Sequence, residues 1–217
     1  MLCSRRGVQR KMKDGFLMER IDILGVGIDN VTMEEAVERA MELLTDGKRH
    51  YVVTPNAEIL YECGRDAAVM EAVKNADLIL PDGAGVVLAS KILGTPLKEK
   101  VAGVEFAVNI LPKLVEAKKK LYLLGSKPGI AERAAIKMRE LAPGLEICGT
   151  HDGYFKDDTP VIEEINRSGA DVLYVCLGAP RQEFWIRQNI ESLCAGLCVG
   201  LGGTLDSITG EVKRAPK

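Results

Sequence analysis

Asp82 is the residue whose surroundings best suit it to acid–base chemistry. It follows an apolar run that Pro81 closes and it precedes Gly83, a pattern that predicts a buried strand, a glycine-rich turn and a helix at residues 86–93. Ligands of open α/β sheets bind outside the carboxyl ends of the strands, so a carboxylate held there is a candidate general base. On spacing alone, an N-cap for the following helix is the better account of Asp82, because Asp is a preferred capping residue.

Thr54 and Asn56 stand at a second predicted strand end, just after residues 50–53. Their polar side chains could orient the hydroxyl groups of a sugar. Both are also ordinary residues of turns and helix caps, and without further information that alternative is preferred.

Two glycine-rich junctions between predicted strands and helices could bind an anion. Glycine lets backbone amides approach a ligand, and the dipole of the following helix favours negative charge. Each junction taken singly is also the turn that any βα unit needs. Together they predict a diphosphate site at residues 125–129 and 178–182, with Gly125, Ser126, Gly178, Arg181 and Gln182 as candidate ligands.

Aromatic and histidine side chains occur in the predicted loop at residues 149–155. Tyr154 could stack on a uracil ring or hydrogen-bond to it. His151 is the only histidine near a predicted site, and a hydrogen bond to backbone accounts for it better than a role as general base. Trp185 is expected to pack in the core.

The sequence predicts neither a metal nor an organic cofactor. It contains no D-x-D run, the usual carboxylate spacing for holding Mg²⁺ or Mn²⁺ under a nucleotide diphosphate. The charge of a leaving diphosphate would then be met by backbone donors and by Lys or Arg. Gly25 and Gly27 begin a dinucleotide-binding pattern, but Asn30 stands where its third glycine would fall.

Composition narrows the class of protein. The 217 residues carry a formal net charge of −2, whereas nucleic-acid binders usually present a basic stripe, so no nucleic acid is expected as a partner. The six cysteines form no C-x-x-C pair and several lie in apolar runs, which is typical of reduced thiols in a cytosolic protein. No stretch approaches the roughly 20 apolar residues of a membrane span.

Apolar runs alternate with helical patterns along most of the chain. This alternation predicts a Rossmann-like α/β fold, with a parallel sheet covered by helices on both faces, in a single domain at residues 18–217. Residues 1–17 are predicted to be a disordered basic leader. Thr32 and Glu35 form a capping box before one helix. Strands are predicted at residues 21–27, 50–53, 77–81, 121–124, 145–148, 172–177 and 197–201, and two of the longer helices at residues 104–118 and 181–193.

A series of short motifs runs through residues 21–217. They are Thr54-Pro55-Asn56, Pro81-Asp82-Gly83, Val101-Ala102-Gly103, Leu124-Gly125-Ser126, Asp152-Gly153-Tyr154-Phe155, Gly178-Ala179-Pro180-Arg181-Gln182-Glu183, Gly202-Gly203-Thr204-Leu205-Asp206 and Lys213-Arg214-Ala215-Pro216. In this order and taken together, they resemble the WecG/TagA/CpsF family of bacterial glycosyltransferases.

The resemblance implies an activity and its partners. It implies transfer of N-acetylmannosamine (ManNAc) from UDP-ManNAc to the 4-hydroxyl of N-acetylglucosamine (GlcNAc) on undecaprenyl diphosphate, in the assembly of the wall teichoic acid linkage unit. The transfer would invert the anomeric centre and need no metal. The partners are then a UDP-sugar donor and a polyprenyl-diphosphate-linked acceptor. The resemblance also favours Asp82 as the base, with Gly83 in its turn.

Two departures from the family pattern bear on these expectations. Lys100 stands where the family is expected to show Arg, which weakens a bidentate phosphate contact there. The chain also stops soon after Pro216, whereas the resemblance implies a basic, amphipathic tail that reaches the membrane. We therefore expect a shortened, cytoplasmic protein, peripheral at the inner face of the cell membrane through that tail, with apolar surface open to homo-oligomer formation.

Two other classes of function compete with a glycosyltransferase. One is a nucleotide-dependent oxidoreductase or epimerase on a Rossmann-like sheet, which the interrupted pattern at Gly25 and Gly27 disfavours. The other is a non-catalytic module that binds nucleotide sugars. Titration with UDP and with NAD would separate the first from the transferase, and turnover would separate the second.

Overall fold

The protein is built around nine strands and ten helices in its described part. A computed structural model describes residues 9–11 and 17–212. In chain order the strands are β1 (Gln9–Lys11), β2 (Leu17–Ile23), β3 (Val26–Asp29), β4 (His50–Val53), β5 (Leu78–Ile79), β6 (Leu121–Gly125), β7 (Ile147–His151), β8 (Val172–Cys176) and β9 (Leu197–Gly200). The helices are α1 (Met33–Thr45), α2 (Ala57–Cys63), α3 (Ala67–Lys74), α4 (Ala84–Ile92), α5 (Gly103–Asn109), α6 (Leu111–Glu116), α7 (Ile130–Leu141), α8 (Asp158–Ser168), α9 (Arg181–Asn189) and α10 (Thr204–Thr209).

Six strands form the predicted parallel sheet. Their order is β5-β4-β9-β8-β6-β7, and each neighbouring pair is parallel. Successive residues of a strand point to opposite faces, so Leu121 and Leu123 join one buried apolar cluster while Tyr122 and Leu124 join the other. Both faces are covered by helices, which is why the strands are apolar without alternation. The predicted Rossmann-like α/β fold is confirmed.

The stretch predicted as the first strand of this sheet, residues 21–27, is instead a hairpin of β2 and β3. The two turn residues, Leu24 and Gly25, have φ of 54° and 85°. A two-residue turn with positive φ at both positions matches the twist of an antiparallel pair, and Gly25 adopts that conformation without strain. Gly25 therefore serves the turn, and β1, β2 and β3 form a separate three-stranded sheet.

A partly buried ion pair attaches the hairpin to the large sheet. Arg20 Nε donates to Asp29 Oδ1 at 2.8 Å, and Asp29 is fully buried. Asp29 Oδ2 accepts a 2.7 Å hydrogen bond from the backbone amide of Ile79 in β5. The Arg20 guanidinium also donates to the carbonyl oxygens of Ala76 and Asp77, both at 3.3 Å. The edge strand that leads to Asp82 is thus held from outside the sheet.

Helix boundaries differ from the predictions where proline and tertiary contacts intervene. The helix predicted at residues 104–118 is divided into α5 and α6, because Pro112 has no amide to donate and clashes with the preceding turn. The helix predicted at residues 181–193 ends at Asn189. The strand predicted at residues 145–148 is shifted to β7, and α10 was not predicted. The capping box of Thr32 and Glu35 is confirmed.

Some predictions fall on residues outside the described part. Of the predicted basic leader, only Gln9–Lys11 and the backbone of Leu17 are described, and the leader remains a prediction. The motif at residues 213–216 lies outside the described residues. Within residues 9–11 and 17–212, no helix has the length and apolar character needed to cross a membrane.

Candidate functional site

The candidate site lies along the edge of the sheet where the six parallel strands end. Parallel strands place all their carboxyl ends at one edge, so the loops that follow them are neighbours in the order of the strands. Predicted site residues follow β5, β4, β8 and β6, and Tyr154 follows β7. Taken strand by strand across the sheet, the residues that follow β5, β4, β9, β8, β6 and β7 are Asp82, Thr54, Gly202, Gly178, Ser126 and Tyr154.

Asp82 is a half-buried carboxylate at the β5 end of this edge. Its Oδ2 accepts a 3.2 Å hydrogen bond from the amide of Gly103, the first residue of α5. Burial raises the pKa of the Asp82 carboxyl above its usual range, and this outweighs the Gly103 hydrogen bond and the positive charge of Lys100, which both lower it. A raised pKa moves a carboxylate toward the range useful for a general base.

The capping alternative for Asp82 is wrong for the helix that follows it. The N-cap of α4 is Gly83, with φ of 86°, and no side chain caps this helix. The carboxylate instead accepts a hydrogen bond from the amide of Gly103, at the start of α5. Gly103 also packs closely against the end of β4, since a Cβ there would lie 3.0 Å from Thr54 Oγ1.

Thr54 and Asn56 lie beside Asp82 but are engaged with the backbone. Thr54 is buried and its Oγ1 donates to the carbonyl of Gly200 at 3.0 Å, which joins the ends of β4 and β9. Asn56 is exposed and its Oδ1 accepts from the amides of Glu58 and Ile59, both at 3.0 Å. The cap alternative is confirmed for Asn56. Lys100 is exposed in the link between α4 and α5.

The first glycine junction packs tightly against its neighbouring strand. A Cβ on Gly125, whose φ is 132°, would lie 2.2 Å from the carbonyl oxygen of Cys176. Ser126 follows with φ of 61°, and its hydroxyl donates to Asp206 Oδ2 in α10. Its carbonyl accepts from Gly153 at 2.8 Å. Ser126 therefore connects its own loop with the loop after β7 and with α10. Sequence reasoning did not single out Asp206, although it lies in a quoted motif.

The second junction uses its polar side chains for internal contacts. Arg181 donates to the carbonyl of Gly153 at 3.0 Å and lies 5.4 Å from the ring centre of Phe155. Gln182 is buried; its Oε1 accepts from the amide of Gly202 at 2.8 Å and its Nε2 donates to Glu183 Oε1 at 2.9 Å. Gln182 is thus placed to orient the Gly202 loop. Gly178 has φ of 79° and open space around it.

Glu183 is a buried carboxyl group that sequence reasoning did not single out. Only 1% of the residue is exposed. Burial raises the pKa of its carboxyl group, and this outweighs the hydrogen bond from Gln182, which lowers it. Within the described residues, its Oε2 has no hydrogen-bond partner. The signal that could have found it is its position directly before the apolar run Phe184-Trp185-Ile186.

The β7 end carries the aromatic candidates. Tyr154 is 70% exposed, so its ring is available to a ligand. His151 Nδ1 lies 2.7 Å from the carbonyl oxygen of Asp152, which is the backbone contact predicted as its alternative role. Trp185 is buried and packs edge-to-face on Phe155, as predicted for a core residue. Across the described ranges, no group of three or more His, Cys, Asp or Glu side chains is arranged to hold a metal ion.

The chain is similar to a known protein family and to individual proteins that share one name. A model of the glycosyl transferase WecG/TagA/CpsF family matches residues 21–217. Three relatives carry the name N-acetylglucosaminyldiphosphoundecaprenol N-acetyl-beta-D-mannosaminyltransferase. The Bacillus spizizenii protein is 37% identical over 80% of this chain and 67% of its own length. The Bacillus subtilis protein is 33% identical over 76% of this chain and 64% of its own length. The Staphylococcus aureus protein (strain NCTC 8325) is 31% identical over 91% of this chain and 78% of its own length.

The extent of these matches decides the family. The family model spans nearly all the described residues, and it includes both the Asp82 end and the glycine junctions of the sheet edge. The match to the Bacillus subtilis protein covers less than two thirds of that relative. The chain belongs to the WecG/TagA/CpsF family of glycosyltransferases.

Proposed function

We propose that this chain transfers ManNAc from UDP-ManNAc to the 4-hydroxyl of GlcNAc-diphospho-undecaprenol, with inversion and without a metal. The relatives' shared name supports the acceptor and the sugar that is transferred. The observation that carries the proposal is the desolvated carboxylate of Asp82 at the same sheet edge as two glycine junctions. Residues 18–217 would form the catalytic unit.

The proposed step is a single displacement. The acceptor's 4-hydroxyl oxygen attacks the anomeric carbon of ManNAc while Asp82 takes the hydroxyl proton. The bond between the anomeric carbon and the UDP oxygen breaks, and its electron pair leaves with UDP. Attack from the face opposite the leaving group inverts the anomeric centre. One base on the acceptor side suffices, and Asp82 is the half-buried carboxylate at this end of the edge.

UDP is proposed to bind across the β8, β6 and β7 ends of the edge. Gly125 and Ser126 and the loop from Gly178 supply backbone near the diphosphate, and the exposed ring of Tyr154 is available to uracil. Thr54 and Asn56 would lie nearer the sugars. A lipid-linked acceptor further implies that the reaction takes place at a membrane surface, which we assign to the inner face of the cell membrane.

The test is a transfer assay with full-length protein. Labelled UDP-ManNAc and GlcNAc-diphosphate on a prenyl chain should give a disaccharide product, and the anomeric one-bond C–H coupling should report a β linkage from an α-linked donor. An α-linked product would exclude a single displacement. Turnover of NAD or epimerisation of the donor without acceptor would favour an oxidoreductase or epimerase instead.

UDP binding is expected to be independent of divalent cations. The proposal assigns the diphosphate charge to backbone amides and to basic side chains rather than to a metal. Calorimetric titration with UDP should give the same affinity with and without excess EDTA. A fall in affinity in EDTA, restored by Mg²⁺ or Mn²⁺, would contradict metal independence and leave the transfer reaction itself to be judged by its product.

A further inference from the structure

Helix α4, which begins just after Asp82, presents an unusual amount of apolar surface. Leu88, Ile92 and Leu93 are 58%, 77% and 54% exposed. They are three of the nine large apolar residues that stand out as exposed within the described ranges. Only Val86 and Ser90 of this helix are buried. Isolated exposed apolar residues are common, but three within six positions form a patch.

Three of the exposed residues lie on one side of α4 and lead back to Asp82. Residues four apart in a helix share a face, so Ala84, Leu88 and Ile92 form a stripe, and Leu93 is exposed at the C-cap next to it. Ala84 is also exposed. A helix of this length extends about 13 Å. The stripe, which we call the α4 face (Ala84, Leu88 and Ile92), therefore starts within one turn of the proposed base and leads away from it.

The chain segment that carries the α4 face is basic. Residues 84–100 contain three lysines and one glutamate, a net charge of +2 in a chain whose net charge is −2. Lys98 is paired with Glu35 at 2.7 Å, whereas Lys91 and Lys100 are exposed. Lys100 is close enough for its charge to act on Asp82. An anionic group next to the reacting sugar would meet positive charge here.

We propose that the α4 face binds the polyprenyl chain of the lipid-linked acceptor, with Lys100 beside the acceptor's diphosphate. This inference rests on the proposed function and identifies where the lipid of that acceptor lies. The order of groups on the acceptor is sugar, diphosphate and hydrocarbon. The protein presents matching groups in the same order: Asp82 for the sugar, Lys100 for the diphosphate and the apolar stripe for the hydrocarbon.

Two double variants, each replacing a pair of exposed apolar residues, test the α4 face. The first is Leu88→Ser with Ile92→Ser. The control is Ile136→Ser with Leu141→Ser on α7, where these residues are 57% and 58% exposed. Each full-length protein is assayed with GlcNAc-diphospho-undecaprenol in phosphatidylcholine vesicles and with GlcNAc-diphosphate on a short, water-soluble alkyl chain.

We expect the α4 variant to raise the KM for the undecaprenyl acceptor about tenfold or more, because two apolar side chains no longer contact hydrocarbon. Its kcat, its UDP affinity and its KM for the short acceptor should stay unchanged. The α7 control should match the parent protein on both acceptors. An equal loss on both acceptors, or an equal loss in the α7 control, would overturn the inference.

Vesicle binding tests the inference without turnover and separates it from the proposed function. Cosedimentation is measured with vesicles of phosphatidylcholine alone, with GlcNAc-diphospho-undecaprenol added, and with phosphatidylglycerol added. We expect the acceptor to increase binding of the parent and not of the α4 variant. Retained acceptor-dependent binding in that variant would overturn the inference, as would an effect seen only with phosphatidylglycerol or only on self-association. Absence of transfer to either acceptor, with this binding intact, would count against the proposed reaction alone.

Discussion

At the scale of single residues, the proposed chemistry depends on one carboxylate. Asp82→Asn keeps an oxygen that can accept from Gly103 but cannot take a proton. We expect turnover in the full-length protein to fall about 10²-fold or more, with UDP affinity and folding nearly unchanged. Steady-state kinetics and UDP titration check this. If most turnover remained, Asp82 would be a structural acceptor, and His151 would be the next candidate base.

The same carboxylate should lower stability at neutral pH. The pKa of Asp82 is raised in the folded protein by burial. A group of this kind contributes stability below its unfolded pKa and loses that contribution as pH rises through its folded pKa. Asp82→Asn should therefore be more stable than the parent at pH 7, and the difference should disappear near pH 3.

Thermal or urea unfolding across pH measures this difference. Asp157→Asn is a suitable control, because Asp157 is an exposed N-cap of α8 and Asn caps helices about as well. It should show no such pH-dependent gain. A lower stability of Asp82→Asn at pH 7 would mean that the carboxylate's hydrogen bond outweighs its desolvation.

Glu183 is expected to orient Gln182 through the carboxyl oxygen that accepts its hydrogen bond. Burial raises the pKa of its carboxyl group, and its Oε1 accepts from Gln182. Glu183→Gln keeps that acceptor and should leave the free energy of unfolding and the donor KM close to the parent values. Glu183→Ala leaves the Gln182 amide unpaired and should cost about 2 kcal/mol or more. Urea unfolding compares them, and equal losses in both variants would show that the charge itself is needed.

At the scale of elements, the two glycine junctions are not equivalent. Gly125→Ala would place a Cβ against the backbone of Cys176 in β8, so a strand end must move. Gly178 has a positive φ of 79°, but a Cβ there would meet no other atom, so only backbone strain opposes Gly178→Ala. We expect a cost of about 1 kcal/mol at Gly178 and about 3 kcal/mol or more at Gly125.

UDP affinity should follow the same ranking as stability at these two positions. Movement at Gly125 displaces Ser126, whose contacts join the loop after β6 to the loop after β7 and to α10. Urea unfolding and UDP titration of the two variants test the ranking. A Gly178→Ala protein that lost UDP binding while Gly125→Ala kept it would place the diphosphate at the second junction alone.

At the scale of the whole molecule, the hairpin and the large sheet are joined through Asp29. Asp29→Ala leaves Arg20 without its carboxylate and the amide of Ile79 without its acceptor. Removal of one partner of a buried pair costs about 3–5 kcal/mol. Glu116→Ala, in an exposed pair with Lys113, should cost less than about 1 kcal/mol. Urea unfolding compares the two, and similar small costs would show that the hairpin is only loosely attached.

Local patterns predicted much of the fold and part of the site. The capping box at Thr32, the strands at β4 and β6 and the carboxyl-end position of Asp82 all follow from residue types over a few positions. The first strand was wrong because a two-residue turn at Leu24 is hard to distinguish from a continuing strand when apolar residues lie on both sides. The engaged side chain of Gln182 could not be predicted, because its partner Gly202 is 20 residues away.

The sequence by itself determined the alternation of strands and helices, the family and the set of polar residues at strand ends. Only the tertiary structure decided the strand order, which brings Thr54 to Gly200 across 146 residues, and the burial that raises the pKa of Asp82. It also decided that α4 leaves its apolar face exposed beside Asp82. The physical reason is the separation along the chain over which each interaction acts. Periodicity and capping depend on neighbours along the chain, whereas strand pairing and desolvation depend on contacts between distant residues that no local pattern contains.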